Sequence, residues 1–278
     1  MTRTTINLFT ALLRAAGSLF TPRMLAITLL PLALTGALWA ALAIWGWEAA
    51  VNALQMWISQ SSAGAWTIAA LADAGFTRLS DSFNTLAAPI LVAALALPLV
   101  GLTSIVVTAL TATPLAVRHL ERRRYAGLAV LGRDSWLASL GNSLIASVVF
   151  GVLWLITLPL WLVPGLGVLL PLALWGWLAY RSFGYDVLAR HATDAERAAF
   201  LRAHRWPLWL LGVVSALLGA LPGAIWLGGA MLFVFSPLLA LVALWLYAVV
   251  FVYASLAYAH YALAALSEAR RAHASIAI

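Results

Sequence analysis

Four long runs without a charged residue constrain this chain more than any other feature of its sequence. A helix needs about 20 apolar residues to cross the roughly 30 Å hydrocarbon core of a bilayer. Two runs suffice for one crossing each and two for a helical hairpin each: Met24–Trp47 (24 residues), Leu86–Val117 (32), Ser135–Tyr180 (46) and Trp206–Ser267 (62). The sequence therefore predicts an all-α, polytopic helical membrane protein with six hydrophobic segments.

The overall composition supports lipid as the solvent of the whole chain. Of its 278 residues, 64% are hydrophobic and 9% are charged, and the mean hydropathy is +1.00. Soluble domains carry about 45–50% apolar and roughly 25% charged residues. We therefore expect one integral membrane domain over residues 1–278, with an interfacial helix at 1–20 and membrane segments at 24–47, 86–117, 135–160, 165–185, 206–232 and 238–266.

The residues before the first segment show helical periodicity. Arg3, Asn7, Thr10, Arg14 and Ser18 recur every three or four positions, and apolar residues occupy the other side. A short helix of this kind lies in the membrane interface, with its cations toward the lipid headgroups. We expect the apolar-rich loop 48–85 to lie along the opposite membrane surface without forming a domain.

The distribution of arginine predicts the orientation. All 16 basic residues are arginines: fifteen lie before the first segment, in 118–134, in 181–205 or at the end of the chain, and only Arg78 lies in the loop after the first segment. Positively charged loops stay on the cytoplasmic side during insertion. The sequence thus predicts a bacterial inner (cytoplasmic) membrane protein with both termini in the cytoplasm.

Proline and glycine interrupt the two longest runs where hairpin turns are expected. Pro159 and Pro164–Gly167 interrupt one run, and Pro222–Gly223 and Pro237 the other. The arms Leu166–Tyr180 and Trp206–Leu221 have only 15 and 16 residues, about 22–24 Å of helix. Either these arms extend into their flanks, or at least one hairpin is re-entrant and does not cross the bilayer, as in some transporters.

Catalytic and metal-binding patterns are absent from the sequence. The chain has no cysteine, its nine carboxylates lie in loops or at segment ends, and it contains no P-loop, HExxH or GxSxG motif. We therefore expect no enzyme activity, no catalytic residues, no metal site and no cofactor. The net charge of +7 is explained by membrane topology, so nucleic acid is not an expected partner.

Five residues are candidates for binding a small anion. Pro22 is suited to begin a helix, which would place free backbone N–H groups and the positive end of the helix dipole beside Arg23. Such helix N-termini bind oxyanions. Arg122, Arg123 and Arg181 lie in the basic loops and could attract an anion; alternatively, they determine topology and contact headgroups of membrane lipids.

Two further residues carry groups that exchange protons. His260 lies deep in the last apolar run, where it could relay protons or be hydrogen-bonded between helices as a structural residue. Asp186 could form an ion pair with Arg181 across a helix end, or line a vestibule. Both roles of His260 and both roles of Asp186 are compatible with the sequence.

The order of several short motifs resembles the etoposide-induced protein family, whose bacterial branch includes the CysZ-type sulfate permeases. The resemblance covers most of the chain and rests on the following stretches: Phe20–Arg23, Thr113–Pro114, Val163–Gly167, Trp175–Trp177, Tyr185–Asp186, His191, Gly212, Pro222 and Ala259–Leu263. It implies a six-helix membrane protein that mediates sulfate entry for cysteine synthesis and assembles as a homo-oligomer.

The chain departs from the pattern of those permeases at two places. They carry a Gly-Leu-Arg-Arg-like stretch before the first span, where this chain has only Pro22-Arg23, and an Asp-Tyr-Pro-like element where this chain reads Gly184-Tyr185-Asp186-Val187. The chain is therefore similar to a divergent branch, and fold transfers along such a resemblance better than substrate does.

Two functions of different class follow from these observations. The first is an anion permease, with sulfate as the leading candidate. The second is a non-transporting membrane scaffold or lipid-interacting protein, in which arginines set topology and Pro and Gly serve packing. The spans supply few polar side chains for a pathway, chiefly Ser and Thr, among them Thr103, Ser104, Thr108, Ser143, Ser147, Thr157, Ser215 and Ser236.

The arginine distribution makes a direct topological prediction. Reporter domains fused after Gly127, Ala195 and Ile278 should be cytoplasmic, and those fused after Thr77 and Leu221 should be periplasmic, because fifteen of the sixteen arginines then remain inside. Alkaline phosphatase and green fluorescent protein fusions measure this. A periplasmic C-terminus would overturn the orientation.

Overall fold

The backbone is helical because lipid offers no hydrogen-bond partner to N–H and C=O groups, which a helix pairs within its own segment. The computed structural model describes residues 8–74, 77–132, 136–233 and 237–276, and it contains no β-strand in those ranges. The helices are α1 Leu8–Leu19, α2 Pro22–Gln60, α3 Ser62–Asp73, α4 Thr77–Leu110, α5 Ala112–Arg124, α6 Trp136–Thr157, α7 Leu166–Ala189, α8 Asp194–Ala203, α9 Arg205–Phe233 and α10 Pro237–Ile276, and a 3₁₀-helix covers Leu158–Leu162.

The predicted all-α polytopic class is confirmed. Within the described residues, five helical stretches are long and apolar enough to cross a membrane, and the number is six if the bent pair α8–α9 counts as one span. The two helices of that pair meet at an angle of 76°, next to His204.

The helices group into two compact units, which are Pro31–Val107 on the one hand and Met1–Leu30 with Thr108–Ile278 on the other. The smaller unit holds most of α2, α3 and most of α4. Within it, the Trp39 indole N–H donates to the Thr103 hydroxyl at 2.8 Å. Residues 48–85, predicted as a loop, are largely helical: α2 continues to Gln60, and α3 and the start of α4 follow. Their position along the membrane surface stays a prediction.

The larger unit is built around α10, against which α1, α5, α7 and α9 pack. The stretch from Ala254 to Ala264 is buried at every position, and Leu256, Tyr258 and Leu263 are among the largest fully buried side chains. Alanines alternate with these large residues, so neighbouring helices approach α10 closely. This helix is the centre of the apolar core.

Helix α1 differs from the expected interfacial helix in one respect. Its first predicted residues lie outside the described range, but Ala11, Ala15 and Leu19 are buried on α10. Ser18 was expected on the headgroup side and instead contacts His260 of α10. Phe9 and Leu13 stay exposed, so α1 has one face on protein and another facing outward.

The first hairpin turn lies where proline and glycine predicted it. Pro159 falls in the 3₁₀-helix Leu158–Leu162, and Gly165 has φ +86° just before α7 begins at Leu166. A side chain at that φ would be strained, which accounts for glycine at this position.

Of the two predicted interruptions in the last run, Pro237 coincides with a helix boundary and Pro222–Gly223 does not. Helix α9 passes through Pro222–Gly223 to Phe233, and Pro237 begins α10; membrane helices tolerate proline where neighbouring groups satisfy the freed carbonyl. The arms predicted to be short are therefore extended, with 24 residues in α7 and 29 in α9, about 36 and 43 Å. The arms thus extend into their flanks, which is the first of the two predicted alternatives; a hairpin that does not cross the bilayer stays a prediction.

Helices α7 and α9 cross in close contact through two glycines. A Cβ at Gly212 would overlap the backbone of Gly176, and a Cβ at Gly176 would come within 2.6 Å of Val213 Cγ2. The Trp209 indole N–H donates to the Ala173 carbonyl at 3.1 Å across the same interface. Small residues at helix crossings are the usual means of close approach in membranes.

This crossing predicts a selective sensitivity to an added methyl group. Gly212→Ala should lower the free energy of unfolding by about 1–3 kcal/mol, because the neighbour that it meets is backbone and has no rotamer to change. Gly219→Ala is the matched control in the same helix, since a Cβ there meets nothing within 4 Å. Thermal unfolding of the purified protein in detergent measures both, and equal stability of the two variants would contradict the close crossing.

Candidate anion site and its polar surroundings

The predicted site residues lie in the larger unit, mostly where α1, the last turn of α5, the α7–α8 turn and the second half of α10 meet. We call this region the polar end. It holds buried charged and polar side chains that the apolar core excludes, among them Glu121, His191, Arg197 and His260. Buried charges are tolerated only where partners are close.

Pro22 is the first residue of α2, as predicted. The Leu25 N–H donates to the Thr21 carbonyl at 3.0 Å, which is the first bond of the helix. The N–H groups of the two residues before Leu25 precede that bond, so they have no partner within the helix. Pro22 and Arg23 are both exposed. The start of α2 therefore offers backbone donors, the positive end of a helix dipole and a guanidinium together.

The end of α5 brings more positive charge to the same place. Arg122 and Arg123 are exposed in its last turn. Arg23, Arg122 and Arg123 all lie close enough to His119 for their charges to act on its imidazole. Four of the five predicted anion-binding residues are thus near one another; we call Pro22, Arg23, His119, Arg122 and Arg123 the arginine cluster. His119 carried no sequence signal that singled it out.

Arg181 lies elsewhere in the larger unit. It sits in the middle of α7, and its carbonyl accepts a hydrogen bond from Asn142 Nδ2 of α6 at 3.1 Å. The expected ion pair with Asp186 is wrong: α7 does not end between the two residues, and five positions along a helix separate side chains by about 140°. Asp186 instead bonds to Ser139 and experiences the charge of Arg197.

His260 is buried and joins three elements. Its Nε2 lies 3.0 Å from the Ser18 hydroxyl of α1, and its carbonyl accepts a bond from the Tyr125 phenol at 3.3 Å. Burial raises the pKa of Tyr125, which keeps the phenol protonated as the donor. The structure thus supports the reading of His260 as a residue hydrogen-bonded between helices, and a proton-relay role stays a prediction.

Sequence reasoning missed an ion-pair cluster beside the arginine cluster. Glu121 is buried at 7% exposure; its Oε2 lies 3.2 Å from Arg190 Nη1, and its Oε1 lies 3.1 Å from His191 Nε2. In the sequence, His191 stands out only as one of the stretches that resemble the family, and Glu121 only as one of the carboxylates in loops or at segment ends. No local spacing could reveal the cluster, because about 70 residues separate Glu121 from its partners.

A second set of contacts connects α8 to α10 and to α7. Arg270 of α10 donates to both carboxylate oxygens of Glu196, at 2.9 and 2.8 Å, and to the His191 carbonyl at 2.6 Å. Arg197 pairs with Asp194 and lies over the Tyr185 ring at 3.9 Å. The polar end is therefore held by charged hydrogen bonds, which are shorter and stronger than neutral ones.

The helix set and the arginine cluster together define the class as a polytopic helical membrane protein with an electropositive polar end. A family model described as "Sulfate transporter CysZ/Etoposide-induced protein 2.4" matches residues 11–228. Because the match covers more than half of the chain, this protein belongs to that family. No curated protein and no solved structure matches the chain.

Proposed function

We propose that this protein is an inner-membrane permease for a small inorganic anion, with sulfate as the leading substrate. Membership of a family that includes sulfate transporters supports a transport-like role. The observation that carries the anion proposal is the start of α2, where free backbone N–H groups lie beside the exposed Arg23; the charges of Arg23, Arg122 and Arg123 all act on His119. Guanidinium groups and free N–H groups both replace the water that an oxyanion loses on binding.

The proposed permease has a defined orientation in the membrane. With both termini in the cytoplasm, the arginine cluster faces the cytoplasm and receives or releases the anion there. We expect a homo-oligomer, no cofactor and no enzyme activity. Membrane lipids are the surrounding partners, and nucleic acid is not one.

The alternative, a non-transporting scaffold or lipid-interacting protein, has its own support. Phe9, Leu13 and Phe20 stay exposed along α1 and its end, as in a helix that lies among lipids. The hydroxyls of Ser215 and Thr157 donate to carbonyls of their own helices, so they offer less to a passing ion. Transport of the anion decides between the two functions.

Arg23→Ala should weaken sulfate uptake in cells that lack other sulfate importers. A charge-assisted bond contributes about 1.5–3 kcal/mol, so the half-saturating sulfate concentration should rise by roughly one to two decades. Arg23→Lys should recover part of the loss, because lysine keeps the charge but lacks the planar fork that binds two oxygens. Uptake of radiolabelled sulfate, normalised to the amount of protein in the membrane, measures both.

Two controls make this test specific. Arg202→Ala removes an exposed arginine at the end of α8 and should leave uptake unchanged. Replacing Arg122, Arg123 and Arg124 together should mainly disturb topology or yield, so the amount and orientation of that variant, and not its uptake, are compared with those of Arg23→Ala. Unchanged uptake in a well-expressed Arg23→Ala protein would remove this site, and no uptake by the wild type would exclude sulfate as the substrate.

A further inference from the structure

Burial of Glu121 fixes the direction in which the end of α5 points. Ala112, Ala116 and Leu120 form its buried face, and Glu121 is the only buried residue of its last turn besides Leu120. Successive residues on a helix point about 100° apart. With Glu121 held inward, Arg122 and Arg123 are turned outward, where they are exposed.

The turn between α7 and α8 is a firm support for Glu121. The Arg190 carbonyl accepts a bond from the Gly132 N–H at 3.0 Å, and the His191 carbonyl accepts one from Arg270 at 2.6 Å. A Cβ at Gly132 would overlap the carbonyl oxygen of Ala189, so the backbone at Gly132 lies directly against the turn between α7 and α8. The backbone of Arg190 and His191, which face Glu121, is thus fixed by contacts that do not involve Glu121.

Burying the Glu121 carboxylate costs desolvation energy that an apolar residue at the same position would not cost. A buried ion pair loses much of its Coulomb energy to desolvation, and apolar residues often stabilise such a site better. Other charges are close: Arg190 and His191 face Glu121 from the α7–α8 turn, Arg122–Arg124 follow it on α5, and Arg270 with Glu196 lies behind His191. A carboxylate amid these arginines stabilises one particular arrangement of them.

We propose that Glu121 is a positioning residue of the arginine cluster: its contacts with Arg190 and His191 lock the last turn of α5 to the α7–α8 turn, and this holds Arg122 and Arg123 in their outward direction. The proposal rests on the proposed function for the identity of the anion. The lock also connects the cluster to α8 and, through Arg270, to α10. A shift of the α7–α8 turn therefore moves the cations that meet the anion.

The lock can be tested through binding and geometry at once. Glu121→Gln should raise the dissociation constant for sulfate about tenfold, or about 1.4 kcal/mol, in equilibrium binding of radiolabelled sulfate to the purified full-length protein. Glu121→Asp keeps the charge with a shorter reach and should give a smaller effect in the same direction. Glu268→Gln, which removes an exposed carboxylate of α10, should change nothing.

Spin labels report the geometry independently of any anion. Because the chain has no cysteine, Phe20→Cys and Leu115→Cys place one label at the α1–α2 junction and one on α5, both at exposed positions. The distance distribution should be narrow with Glu121, broader with Glu121→Asp and broadest with Glu121→Gln. Glu268→Gln should keep it narrow.

The outcomes separate the lock from the proposed function. A narrow distribution together with an unchanged dissociation constant in a folded Glu121→Gln protein would overturn the positioning role. If Glu121→Gln does not fold, an unchanged distribution in Glu121→Asp overturns it equally. If the wild type binds no sulfate, the proposed function fails for sulfate, and the label distances alone still decide whether Glu121 positions α5.

Discussion

The burial of α10 is the constraint on which the larger unit depends. Every residue from Ala254 to Ala264 is buried, and α1, α5, α7 and α9 all pack against this helix. Within a membrane there is little hydrophobic gain from bringing helices together, so close packing and interhelical hydrogen bonds must hold them. The alanines of α10 supply the first, and His260, Tyr258 and Tyr261 supply the second through bonds to α1, α9 and the α8–α9 junction.

The same helix sets where charge can be placed. Beyond its buried stretch α10 reaches Arg270, which fastens α8 and the α7–α8 turn; that turn holds Glu121, and Glu121 orients the end of α5. The arginine cluster is therefore the last member of a chain of contacts that begins in the apolar core. The proposed function and the stability of the polar end thus depend on the same buried carboxylate, which pairs with Arg190 and lies 3.1 Å from His191 Nε2.

The sequence predicted those features that depend on local composition. Uncharged runs located the membrane segments, and Pro22 and Gly165 marked a helix start and a turn. Pro237 marked the start of α10, whereas Pro222–Gly223 lies inside α9, because membrane helices tolerate proline where neighbouring groups satisfy the freed carbonyl. Helix α3 and the extension of α2 have no clear sequence signal, since half-apolar stretches carry no clear period. The Glu121 cluster joins residues about 70 positions apart, and the charge of Arg23 acts on His119 about 100 positions away; no spacing rule encodes such long-range interactions.

The central claim is that this protein, a member of the family described as sulfate transporter CysZ/etoposide-induced protein 2.4, moves a small inorganic anion across a membrane. Flux of radiolabelled sulfate into liposomes that contain the purified protein tests it most directly. We expect uptake that depends on the protein, saturates with sulfate concentration and is suppressed by excess unlabelled sulfate. Uptake equal to that of empty liposomes, with the protein shown to be folded and inserted, would contradict the claim for sulfate and favour the non-transporting function.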